Sequence, residues 1–376
     1  MNTPNLPLYL DAREAYPMLS DGHRGLWYDR FFNQYDNQWQ VYKEDEKKGI
    51  REGKRAWIET LGNGASDALW STGDATALQK TSDRLAQLCT SRNGKFNVFV
   101  ASWHFATGLG NPHPVENGFL WHPTLGVPYI PGAAVKGLVR AWMEGGWVDA
   151  RDNEKLRRWF GSEDKNAEAC KSDTEAGAFI FFDALPVEPV KLKADVMTPH
   201  MGDWYEKGGE EPMNPEVTPA DWHNPVPVPF LVADKPKFLF AVAPRNGKSN
   251  AELGDVMAAL ASTLEWLGAG AKTAVGYGRL SGNEKESKAI CKRIRQAAMS
   301  TEERIVDNVE ELTPRQLAIK LGKERTKTKA ELGDSWEIYL EQILSIHGEQ
   351  IKGWEHAFNK NEKEAYKTVF KRNERD

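Results

Sequence analysis

Four glycines fall within eleven residues, Gly268-Ala269-Gly270-Ala271-Lys272-Thr273-Ala274-Val275-Gly276-Tyr277-Gly278, and Arg279 follows directly. Glycine at this density permits positive φ and lets another backbone approach closely. Lys272, Thr273, Tyr277 and Arg279 add cations, a hydroxyl and an aromatic ring, a combination that suits single-stranded RNA. A tight helix-to-strand connection would require the same glycines, so both readings stand. A second segment, Pro128-Tyr129-Ile130-Pro131-Gly132-Ala133-Ala134-Val135-Lys136-Gly137-Leu138-Val139-Arg140, opens a helix with small residues. Such a start leaves N–H groups that a phosphate can reach. Lys136 and Arg140 are four apart and share the polar face. They are either an ordinary solvated pair or phosphate ligands.

Other chemistries find little support. His104, His113, His122, His200 and His223 are scattered, with no HxxxH or HExxH spacing and no Ser-His-Asp or Cys-His order. An imidazole could still act as general acid or base on an RNA 2′-hydroxyl, and nothing in the sequence supplies its partner. Gly268 to Thr273 and Arg245 to Ser249 imitate phosphate loops, but neither has GxxxxGK[ST] behind a strand. Cys89, Cys170 and Cys291 form no CxxC pair, which speaks against a disulfide scaffold and a cysteine-rich zinc site. We therefore expect no catalytic residue, no metal and no cofactor.

The elements that must position these segments follow from periodicity. Arg24 to Phe32 reads as a helix with a wide apolar face, and Ala75 to Cys89 as a second with Leu78, Leu85 and Leu88 on one side. Phe96 to Thr107 alternates like one strand, with Phe99, Ala101, Trp103 and Phe105 facing one way. Helices are predicted over Ala133–Met143 and Asp152–Phe160, then strands over Ala178–Leu185 and Lys237–Ala243. Ser249 to Glu252 has capping-box spacing. It precedes a helix carrying Leu253, Val256, Met257, Leu260, Leu264 and Leu267 on one stripe, and a short strand near Tyr277 to Leu280 closes the series. This order is β-α-β-β-α-β, the split βαβ of a ferredoxin-like α+β fold.

The chain has 376 residues, 40% hydrophobic and 27% charged, with a net charge of −5. That balance fits a globular protein and excludes a generally basic nucleic-acid coat, so RNA contact requires a local patch. No apolar run reaches membrane-spanning length. Met1 to Leu10 lacks a signal-peptide pattern, and a reducing, cytoplasmic setting is expected. Three parts are expected: an N-terminal helical segment packing on the core (1–95), the ferredoxin-like domain (96–281) and a C-terminal helical extension (282–376). Within the second, 186–236 is proline-rich and reads as an irregular insertion, where Trp204 and Tyr205 could stack on bases or bury against the core. From Glu284 to Asp376 there are 19 Lys and Arg against 18 Asp and Glu. That near balance argues for a protein-binding or self-packing module rather than an RNA arm.

Read as GxGxKTxxGYG and PYIPGxxxKGxxR, the two segments resemble the signatures of the RAMP superfamily of CRISPR proteins. Gly108 to Gly118, Phe182-Asp183-Ala184, Asp195 to His200 and Asn224 to Leu231 are similar to the sixth-subunit family of the type III-B (Cmr) effector complex. The resemblance covers about 96–281 and, more weakly, Gly25 to Phe32. Ala133 and Ala134 stand where the family often has serines, and the chain beyond 284 resembles nothing in it. The resemblance implies an RRM-like ferredoxin fold and a non-catalytic RNA-binding subunit. Such a subunit caps the filament of backbone subunits near the 3′ end of the guide. Guide RNA, target RNA, the backbone subunit and neighbouring RAMP subunits are its implied partners, with no membrane. Two alternatives remain: a metal-independent guide-processing ribonuclease using His104 or His200, and a protein scaffold that never touches RNA.

Overall fold

Alternation along the strands builds two faces at once. In the computed structural model, Phe238, Phe240 and Val242 point into the main core, while Ala241 and Ala243 meet Cys89 and Leu85 of the helix Ala75–Ser91. Both faces of this strand are covered, which is why its sequence is almost continuously apolar. The structure describes residues 22–36, 38–41, 43, 53–62, 71–146, 152–162, 176–199, 201–220, 223, 227–246 and 251–371.

The strands are β1 (Ser71–Thr72), β2 (Lys95–Ala101), β3 (His104–Phe105), β4 (Phe179–Phe181), β5 (Leu185–Pro186), β6 (Val190–Met197), β7 (Val228–Asp234), β8 (Lys237–Pro244) and β9 (Leu280–Gly282). One sheet has the order β4-β8-β2-β9, with β5 also on β8, all antiparallel. The helix Gly132–Glu144 connects β2 to β4 in sequence, and Leu253–Trp266 connects β8 to β9. This is the split βαβ order expected from the sequence. Val135 and Val139 of the first helix and Leu253, Val256, Leu260 and Leu264 of the second lie in the core beside Phe99 and Phe240. Tyr28, Phe32, Trp57, Ile58 and Leu61 from the N-terminal helices join the same core.

A second sheet, β1-β6-β7-β3, was not foreseen. It corrects the reading of 186–236 as irregular, since β6 and β7 pair from Lys191↔Asp234 to Met197↔Val228. Prolines and lysines hid the pattern. Val190 and Leu192 are buried between exposed Lys191 and Lys193, a half-buried alternation. Pro229 is tolerated because β3 pairs with β7 only at Ala233 and Asp234, which leaves the Pro229 end of β7 unpaired on that side. The expected single strand over Phe96–Thr107 is likewise two strands in two sheets. The chain crosses between them at Ser102 and Trp103, so Trp103 does not share the buried face of Phe99 and Phe105. Leu88 is exposed too, because Leu78, Ser82, Ala86 and Cys89 form the buried stripe of their helix. Glu252 is the N-cap of Leu253–Trp266 and pairs with Arg158, while Ser249 lies outside the described residues.

The chain divides into two units, Met1–Ile290 and Cys291–Asp376. The division falls inside the helix Glu284–Ala297, beyond the boundary at 282 read from composition. In the second unit, Ser300 with Glu303 and Thr313 with Gln316 form capping boxes that start two helices. Leu317, Leu321, Trp336, Tyr339, Leu340, Ile343, Ala365 and Val369 build a core of its own, flanked by Trp354, Tyr366 and Phe370. The unit's larger apolar side chains are thus mostly packed among themselves, and Leu344 and Phe358 stay exposed. No described helix of the chain is long and apolar enough to cross a membrane.

Candidate nucleic-acid interface

The glycine-rich loop leaves the C-terminus of Leu253–Trp266 and folds back on β3. Gly268, Gly270, Gly276 and Gly278 all have positive φ, and so does Lys272 at 58°. Three of the glycines are required by the protein's own backbone. A Cβ at Gly270 would strike the Ala106 carbonyl, one at Gly278 the Ala269 carbonyl, and one at Gly268 would lie 3.0 Å from the Gly278 oxygen. The Ala271 N–H donates to Ala106 O (2.7 Å), Ala269 N–H to Gly278 O (2.8 Å) and Gly278 N–H to His104 O (2.9 Å). Gly276 differs, with nothing within 4 Å of where a Cβ would stand. The helix-to-strand connection accounts for three of the glycines, and Gly276 lies outside it. Gly268, Gly270 and Gly278 close the connection, and the tip from Lys272 to Gly276 faces outward, with Val275 68% exposed.

Tyr277 is placed differently from a base-stacking residue. Its ring is 7% exposed, packed with Ala106, Phe230 and Val232. The hydroxyl donates to Asp195 Oδ2 at 2.7 Å. Burial first, then the Asp195 carboxylate, drives the phenol pKa well upward. The same Oδ2 lies 3.2 Å from His104 Nδ1, and His104 Nε2 faces Asp234 Oδ1 at 3.6 Å. Asp234 also binds Lys193 at 2.9 Å. Tyr277, Asp195, His104, Asp234 and Lys193 thus tie the loop to β3, β6 and β7. Lys272 stays at the surface with its Nζ 5.3 Å from the Phe230 ring centroid, a cation–π contact. Thr273 begins the short 3-10 turn at the tip, and the Arg279 side chain is exposed.

The N-terminus of Gly132–Glu144 is less open than its small residues suggested. The Gly132 N–H donates to Asp183 Oδ1 at 2.6 Å, so a carboxylate already occupies the positive end of the helix. Gly132 is required because a Cβ would strike the Phe181 carbonyl. Lys136 is half-buried, and its pKa is lowered by desolvation first and then by neighbouring Arg245 and Arg140. Arg140 pairs with Glu144 at 2.8 Å. This end of the helix therefore gathers three cations, of which Lys136 has no ion pair among the described residues.

Trp204 covers the backbone of Gly208 and is half-buried, whereas Tyr205 is 77% exposed on the short helix Gly202–Lys207. His113, His122 and His223 bond to backbone. His113 Nε2 donates to Tyr28 O (3.0 Å), and its Nδ1 accepts from Val115 N–H. Burial lowers the pKa of His113, and of His122 beside Asp183. His223 Nε2 lies 2.8 Å from Thr218 O. His200 lies outside the described residues.

Sequence reading missed Trp103. It is 44% exposed, and its indole stacks on His104 with centroids 4.6 Å apart and planes 17° from parallel. Its position at the crossing between sheets explains the exposure, and the one sequence signal was the polar Ser102 interrupting the apolar run. It also missed Asp195 and Asp234, whose partners come from other strands.

The chain belongs to the RAMP superfamily, whose family model matches residues 94–281, half of the chain and the span from β2 to β9. Within that superfamily, it is 30% identical to the CRISPR system Cmr subunit Cmr6 of Pyrococcus furiosus and 26% identical to that of Saccharolobus solfataricus. These alignments cover 48% and 43% of this chain, and it spans 66% and 47% of the two relatives' lengths. Among solved structures, a cryo-EM structure of type III-B Cmr-beta bound to cognate target RNA matches at 21% identity and TM-score 0.45, covering 63% of this chain and 73% of that one. The crystal structure of Cmr6 from Pyrococcus furiosus matches at 24% identity and TM-score 0.29, covering 50% and 97%.

Proposed function

We propose that this protein is a non-catalytic RNA-binding subunit of a type III-B CRISPR effector complex, capping the backbone filament near the 3′ end of the guide RNA. Its partners are guide and target RNA, the backbone subunit and neighbouring RAMP subunits. The observation that carries the reading is the outward tip of the glycine-rich loop, within the matched RAMP region. Gly276 is open there, and Lys272 makes no ion pair among the described residues. A backbone that can be approached closely beside a free cation is what a phosphate chain requires. The similarity to Cmr6 supports the choice of complex.

The ribonuclease alternative meets an obstacle at His104. Both ring nitrogens face carboxylates and one ring face is covered by Trp103, so the imidazole has no nitrogen directed at a substrate. The test is purification with and without the proteins encoded beside it, followed by the 260/280 nm absorbance ratio and denaturing gels. A discrete RNA in the assembled complex supports the proposal. Cleavage of a repeat hairpin by the lone chain would establish the ribonuclease instead, and an assembled complex in which this chain touches no RNA would establish the scaffold.

A further inference from the structure

Trp103 stands where the chain crosses from one sheet to the other, and both backbone neighbours of that crossing carry exposed cations. The Ser102 N–H donates to Arg279 O at 2.9 Å, and the Lys235 N–H donates to Trp103 O at 3.2 Å. Arg279 and Lys235 are exposed, and neither makes an ion pair among the described residues. The nearby carboxylates are engaged: Asp195 by Tyr277 and His104, Asp234 by Lys193 and His104. Three cations, Arg279, Lys235 and Lys193, thus stand against two carboxylates, Asp195 and Asp234, and the surroundings of the indole stay net positive.

The ring geometry leaves one indole face without a stacked ring among the described residues. Centroid distances are 4.6 Å from Trp103 to His104, 4.8 Å to Tyr277 and 6.3 Å between those two. The angle at Trp103 is thus close to a right angle. His104 stacks on one face, Tyr277 flanks the edge, no other ring among the described residues contacts the indole, and the residue is 44% exposed. The indole is also held in place, because Asp195 and Asp234 fix the imidazole beneath it.

We infer that Trp103 is a stacking platform for one unpaired RNA base, with Arg279 and Lys235 holding the phosphates on either side. The inference rests on the RNA-binding reading above and deepens it. An open aromatic face between unpaired cations matches a nucleotide better than a protein side chain, since base stacking is indifferent to sequence and phosphate needs the cations.

The test is anisotropy titration of a short, fluorescein-labelled, mixed-sequence single-stranded RNA with the full-length chain across a salt series, beside a strand of the same length made of abasic sites. Trp103→Ala should weaken binding about 5- to 150-fold, the range for one base on one ring, without changing the salt dependence. Trp103→Phe should stay within a few-fold of wild type. Arg279→Ala and Lys235→Ala should each lower the salt slope by about one. Wild type should prefer the base-bearing strand, a readout that needs no variant to fold. Wild-type binding that Trp103→Ala leaves unchanged, with no preference over the abasic strand, would overturn the platform and leave the RNA reading intact. Absence of wild-type binding even at low salt would overturn both. Lost assembly with partner subunits at unchanged RNA affinity would mark a protein interface and overturn the platform.

Discussion

The Tyr277 hydroxyl and the His104 imidazole meet at one oxygen, Asp195 Oδ2, at 2.7 and 3.2 Å. Through that oxygen the last turn of the glycine-rich loop is anchored to β6, and β3 is anchored with it. The Tyr277 ring is thus a structural tie, and the loop's outward tip is what remains for a ligand.

Tyr277→Phe keeps the ring packing and removes this bond. Asp195 is partly exposed, so the cost is set near the lower end for a charged hydrogen bond, about 1.5 kcal/mol. Urea unfolding should show a lower midpoint at unchanged slope. RNA affinity should hold, since the ring is buried.

The four loop glycines should separate by role. Gly270→Ala and Gly278→Ala force a methyl into a carbonyl at positive φ, and each should cost at least about 2 kcal/mol. Gly276→Ala meets only backbone strain, about 1 kcal/mol, and should weaken RNA binding in a chain that still melts cooperatively. Thermal melts paired with RNA titration distinguish the two classes.

Lys136→Ala and Lys272→Ala should each lower the salt slope of RNA binding by about one, with little dependence on RNA sequence. Arg140→Ala should have a smaller effect, because Glu144 already holds its guanidinium. Equal slopes for wild type and all three variants would remove these residues from the interface.

In the C-terminal unit, Tyr339 is buried with no hydrogen-bond partner for its hydroxyl among the described residues, and burial pushes its pKa up to about 12 from 10.0. The fold favours the neutral phenol. Its stability contribution is therefore intact below pH 10 and falls as the pH rises from 10 toward 12. Tyr339→Phe should stabilise the unit by up to about 1 kcal/mol and flatten this alkaline decline, as read by denaturant midpoints across pH.

The boundary between units gives a paired truncation. Val98 N–H donates to Ser287 Oγ at 2.9 Å, Asn283 N–H donates to Val98 O at 2.7 Å, and Ile290 is buried. A chain ending after Ile290 should melt cooperatively. One ending after Gly282 loses all three contacts and should be less stable by about 2 kcal/mol or more.

The split βαβ was legible because Val135, Val139, Val256 and Leu260 repeat at helical spacing and β8 is apolar on both faces. The second sheet was not, since β6 mixes lysines into its alternation and β7 carries Pro229. The sequence gathers cations and glycines in one loop, yet it does not say which glycines face inward. That depends on where Ala106 and Ala269 lie in space. Trp103 was assigned to a buried face because alternation assumes an unbroken strand, and the crossing at Ser102 breaks it. Asp195 lay in a motif of the resemblance but its role, like that of Asp234, was not legible, because their partners are supplied by strand pairing across long stretches of chain.

The central claim is that this chain holds guide RNA within an assembled effector complex. Ultraviolet crosslinking of the purified complex, with mass-spectrometric mapping of RNA-bearing peptides, tests it most directly. The account predicts crosslinks to the peptide spanning Lys272 to Arg279 and to the peptide containing Trp103. Crosslinks throughout the other subunits, with none on this chain, would contradict it.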